Sequence, residues 1–158
     1  MKESIKKGIG FGVTSGVITT LGLMVGLTAT TQSQAVIIGG IITIAIADAL
    51  SDAFGVHISE ESNPANSDEH VWASTASTFL FKLFFASTFL IPVFIFELKE
   101  AVLVSIVWGL FLLGVISIKI AKEQKEPIWM VVGEHVFIAL AVVFIANFVG
   151  EWVAITFV

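Results

Sequence analysis

Five apolar stretches, each about as long as a bilayer is thick, leave this chain few ways to fold. A membrane-crossing helix needs roughly 20 consecutive, mostly apolar residues. Residues 8–29, 35–57, 71–96, 101–118 and 128–158 meet or approach that length. In hydrocarbon every backbone N–H and C=O must find a partner inside the protein, which a helix supplies and an open strand does not. The sequence therefore predicts an all-α membrane protein, one domain of five transmembrane helices. Residues 58–70, short and acidic, form its largest connection. The mean hydropathy of +0.98 belongs to a membrane chain and not to a soluble core. The run from Gly8 to Ala29 exceeds the ~7–15 apolar residues of a signal-peptide core, so it reads as a retained first span.

The lysines orient the spans. Lys2, Lys6 and Lys7 precede the first, and Lys119, Lys122 and Lys125 lie between the fourth and fifth. With five spans these groups fall on one side, which the positive-inside rule makes the cytoplasm. The N-terminus and loop 58–70 are then expected in the cytoplasm and the C-terminus outside. The expected location is the cell's inner membrane. Gly12/Gly16 and Gly22/Gly26 are G-x-x-x-G pairs that allow close helix approach, either within one subunit or at the seam of a homodimer. Pro92 is expected to kink the outer end of the third span.

Polar groups inside the spans carry the chemistry, because a carboxylate in hydrocarbon is costly and faces a bundle interior or a wet cavity. Asp48 and Asp52 are four residues apart and share one helix face. Asp48 lies ~13 Å from the cytoplasmic end of its span at ~1.5 Å per residue. Ser15, Glu134 and His135 come to a similar depth, ~10–12 Å. Asp48, Asp52, Glu134 and His135 are thus the candidate ligands of a divalent cation, since oxygens with one imidazole suit Mn²⁺, Fe²⁺ or Zn²⁺. His57, Glu60 and Glu61 are a second candidate cluster at the cytoplasmic mouth. Lys82 lies ~16 Å into its span, too deep to reach water easily. Either its helix begins later or it pairs with a buried acid.

Several function classes are excluded. Without Cys there is no disulfide or thiolate site. The net charge of −5 and the lack of a basic patch argue against nucleic acid. Glu134-His135 is not followed by the second His of a zinc protease helix, and there is no Gly-x-Ser-x-Gly elbow. No enzyme activity and no organic cofactor are expected.

Ser15 to Leu27, with Leu21-Gly22-Leu23-Met24-Val25-Gly26-Leu27, and Ala47 to Ser62, running into Ile58-Ser59-Glu60-Glu61, resemble the vacuolar iron transporter family. The resemblance is diffuse but covers most of the chain. It implies a five-span homodimer in membrane lipid that moves Fe²⁺ or Mn²⁺ out of the cytosol, with proton antiport. The family's first-helix Asp-Gly falls on Ser15-Gly16. A ligand methionine of its second helix falls on Asp52, and a Glu-Tyr pair on Val56-His57. The other reading is a non-transporting assembly or regulatory subunit, whose buried polar network fixes helix register.

Overall fold

The computed structural model describes residues 2–157, with the backbone alone for Lys2; Val158, the last residue of the expected fifth span, lies outside the described residues. The elements are α1 (Lys2–Thr30), α2 (Gln34–Thr43), a π-helical segment (Ile44–Asp48), α3 (Ala49–Glu61), α4 (Asp68–Thr88), α5 (Leu90–Ile95), α6 (Leu98–Gln124) and α7 (Ile128–Phe157). The second and third elements run on into α3, and α4 into α5. Five helical units result, each long and apolar enough to cross a membrane: Glu3–Thr30, Gln34–Glu61, Asp68–Ile95, Leu98–Gln124 and Ile128–Phe157. No strand occurs among the described residues.

The helices run past the apolar stretches that announce them, because capping and charge extend them into the polar zone. α3 continues to Glu61 and α4 begins at Asp68, so most of the expected loop 58–70 is helix end. Ser67 caps α4, its Oγ accepting from the His70 N–H at 3.3 Å. Asp68 and Glu69 fill the first turn, where the helix dipole favours negative charge. Lys119 and Lys122 ride the end of α6, which Lys125 stops in the left-handed conformation, φ 60°. Pro92 acts one turn before itself. It has no N–H for the Thr88 carbonyl, and the third span breaks between Thr88 and Leu90.

α1 is the axis of the bundle, packed on α4, α6 and α7. Its glycines make this possible. A Cβ on Gly12 would lie 2.7 Å from the Thr78 carbonyl oxygen, and one on Gly16 would lie 3.1 Å from that of Lys82. On the next turns, a Cβ on Gly22 would meet Val142 at 2.9 Å and one on Gly26 the Ala146 carbonyl at 3.3 Å. Both G-x-x-x-G pairs are therefore occupied within one chain, the first against α4 and the second against α7. They are not free to form a seam between two copies. The core fills in around them with Val13, Val17, Leu21, Met24, Ile37, Ile41, Phe89 and Leu113. α7 packs by one side only. Trp129, Phe137, Phe144 and Phe148 point outward, an apolar surface compatible with lipid.

Candidate functional site

Lys82 stands about midway along the span Asp68–Ile95, and its side chain is completely buried. Its ammonium group has three protons, two hydrogen-bond acceptors and a third oxygen close by. Asp52 Oδ2 accepts one in a short contact, and Ser15 Oγ accepts another at 2.9 Å. Asp48 Oδ2 lies 2.5 Å from Nζ as an ion pair whose alignment falls outside hydrogen-bonding geometry. Ser15 Oγ in turn donates to Asp52 Oδ2 at 2.6 Å. Three spans thus meet at one ammonium: the first through Ser15, the second through Asp48 and Asp52, and the third through Lys82.

Local structure explains the convergence. Asp48 closes the π segment, a wider turn of a kind that recurs at functional sites. From Asp48 onward the helix is regular, so Asp52 follows one turn later on the same face. Gly12 and Gly16 bring α1 down onto the Lys82 backbone, which puts Ser15 within reach of Nζ. The sequence offered Lys82 two placements, and the structure pairs it with acids, Asp48 and Asp52, that are themselves only partly buried.

Charge and access define what the site can do. Two carboxylates and one ammonium sum to −1, inside a membrane span where an unbalanced charge is expensive. The carboxylates are not sealed: the Asp48 side chain is 32% exposed and that of Asp52 23%, against 0% for Lys82. Each carboxylate thus keeps a flank that this chain does not cover, while the ammonium lies behind them.

The four candidate ligands are not brought together. Glu134 is exposed on α7, and His135 turns to α6, its Nδ1 2.7 Å from Ser117 Oγ. His135 lines a cavity of about 850 Å³ between α1, α6 and α7, with Glu3, Lys6, Lys7 and Glu123. α7 packs on α1 and α6, so α1 stands between His135 and the acids of the second span. Equal depth does not imply equal azimuth. Among the described residues no three His, Asp or Glu side chains form a metal-holding group. Met24 is wholly buried in the apolar core.

The mouth residues divide as well. His57 Nδ1 pairs with Thr75 Oγ1 at 3.0 Å and its ring meets the edge of Trp72. Glu61 is exposed. Glu60 instead gathers partners from three directions: Lys7 Nζ at 3.5 Å, His70 Nε2 at 3.1 Å and Asn66 Nδ2 at 2.9 Å. This clasp joins the ends of α1, α3 and α4. Glu60 stands two turns beyond Asp52 on one ridge of α3, but nothing in that spacing names its partners. Comparison with protein-family models, with curated proteins and with solved structures finds no match.

Proposed function

We propose that this protein is an integral membrane transporter that exchanges a divalent cation, Mn²⁺ or Fe²⁺, for a proton at Asp48, Lys82 and Asp52. The observation that carries the reading is a wholly buried ammonium held by two carboxylates whose other flanks stay open. In the resting state Lys82 supplies the positive charge that the carboxylates need. A divalent ion arriving from the open flank takes both carboxylates as ligands. Lys82 then releases one proton and remains as a neutral amine. The site charge moves from −1 to 0, so ion and proton are bound alternately. Asp52, standing where the resembled family has a methionine, makes the ligand set harder and favours Mn²⁺. Export from the cytoplasm follows if the lysine-rich ends lie inside, in the cell's inner membrane. A two-fold dimer, which the resemblance implies, would cover the open flanks of Asp48 and Asp52 with α3 at its seam, since the glycine faces of α1 are occupied.

Vesicles containing the purified protein and a Mn²⁺-quenched dye test this. The wild type is expected to take up Mn²⁺ and to move protons the opposite way. Asp48→Asn and Asp52→Asn should each reduce uptake to that of empty vesicles, because charge count sets affinity at oxygen sites. Full uptake by either variant would remove its carboxylate from the site. The second reading, a non-transporting subunit, draws on the way Lys82 ties three spans together. It predicts a stably folded wild type without flux.

A further inference from the structure

The cavity of about 850 Å³ between α1, α6 and α7 has the size of a small-molecule site. It lies at the lysine-rich end of the bundle. α1 turns Gly12 and Gly16 to α4, and Gly10 and Thr14, about half a turn away, to this cavity. The cavity is thus separate from the cluster around Lys82.

Helix length sets its depth in a bilayer. α1, α6 and α7 have 29, 27 and 30 residues, so each is ~40–45 Å long at ~1.5 Å per residue. The hydrocarbon layer is ~30 Å thick, so about one turn at each end stands among the lipid headgroups. Glu3 and Lys6 in α1 and Glu123 in α6 fall at that level. The cavity runs inward past Phe11 to Thr14, ~18 Å along α1 and below the headgroups.

The lining changes with depth. At the mouth Lys6 Nζ pairs with Glu123 Oε1 at 3.0 Å, and Lys7 Nζ reaches Glu60 at 3.5 Å. An ammonium has three protons, so both lysines keep donors for a further acceptor. Glu3 is exposed beside them. Phe11 and Ile120 make an apolar wall further in. Thr19 and Thr20 bond back to carbonyls one turn earlier, whereas the Thr14 hydroxyl makes no hydrogen bond among the described residues. A hydroxyl at that depth is costly unless a polar group meets it.

We propose that this cavity binds one phospholipid with an ethanolamine headgroup, its phosphate held by Lys6 and Lys7. Basic pockets between membrane helices suit lipid phosphates. Charge balance selects the headgroup. The mouth carries two ammonium groups and two carboxylates, so a headgroup with one phosphate and one ammonium finds a partner for each charge. Glu3 and Glu123 accept from the amine. The ester carbonyls of such a lipid lie deeper than its phosphate and accept from Thr14. Its acyl chains leave along Phe11 and Ile120 into the bilayer. Free phosphoethanolamine carries the same charges but has no chains for that wall.

Native mass spectrometry of delipidated protein in mild detergent tests this, with phosphatidylethanolamine, phosphatidylglycerol and free phosphoethanolamine as probes. The wild type should bind one phosphatidylethanolamine per chain, about tenfold more tightly than phosphatidylglycerol, the scale of two partly exposed charge pairs. Gly10→Phe fills the cavity from a position where nothing lies within 4 Å of a Cβ, and it should lose the bound lipid. Glu3→Gln/Glu123→Gln should still bind lipid but lose the preference for ethanolamine. A Gly10→Phe protein that binds lipid as wild type does overturns the site. Equal binding of the two lipids by the wild type overturns the headgroup assignment. Free phosphoethanolamine bound as tightly as the lipid would make the ligand a soluble phosphate ester and overturn the lipid. If Gly10→Phe does not fold, the double variant, changed only at exposed side chains, carries the test, and an unchanged preference overturns the proposal. No ion flux is read, so the result stands apart from the exchange reading.

Discussion

Lys82→Met is expected to destabilise the protein by about 3–5 kcal/mol, the cost of stripping one partner from a buried ion pair. Methionine fills nearly the same volume, so the loss is electrostatic and not a cavity. Asp48 and Asp52 would be left as two like charges with no ammonium between them. Asp52→Asn in the Lys82→Met background should recover part of the loss, because it removes one of the two orphaned charges. Asp52→Asn alone leaves Lys82 paired with Asp48 in a neutral couple. It should change stability by no more than about 1 kcal/mol, the scale of one hydrogen bond. Unfolding of the four proteins in one mild detergent measures all of these. Equal stability of Lys82→Met and wild type would mean that the ammonium does not balance the carboxylates.

Gly12→Val should cost at least about 3 kcal/mol, the upper end of the overpacking range. Its Cβ would sit 2.7 Å from the Thr78 carbonyl oxygen and 3.1 Å from the Lys82 nitrogen. Both are backbone atoms of a packed helix and cannot swing aside. α1 would have to withdraw from α4, taking Ser15 from Lys82. Gly10→Val, one face away, is the control. Nothing lies within 4 Å of a Cβ there, and valine is no worse than glycine in a helix. Thermal unfolding of both variants checks the pair. A Gly12→Val protein as stable as wild type would show that α1 and α4 do not need this approach.

The spans, and the common depth of Ser15 and Asp48, were legible because depth in a membrane can be counted along the chain. The i+4 spacing of Asp48 and Asp52 gave their shared face, and the depth of Lys82 left a later helix start or an acid partner as its two readings. Glu134 and His135 show the limit of that counting. Their depth was readable, but azimuth depends on which helices are neighbours, and α7 packs on α1 and α6. The Ser117 partner of His135 lies 18 residues away on α6, and nothing local in the sequence names it. The Glu60 clasp was hidden for another reason. Residues 58–70 read as one acidic connection, whereas the Ser67 cap starts α4 early and carries His70 to Glu60.

If a cation displaces a proton at Asp48, Lys82 and Asp52, binding of Mn²⁺ must set protons free. Mn²⁺ is titrated into weakly buffered, detergent-purified protein while a pH dye reports the protons set free. About one proton should be released per ion bound. None is expected from Asp48→Asn/Asp52→Asn, which retains Lys82 but offers the ion no carboxylate there. Mn²⁺ binding to the wild type with no proton released, or equal release from the double variant, would contradict it.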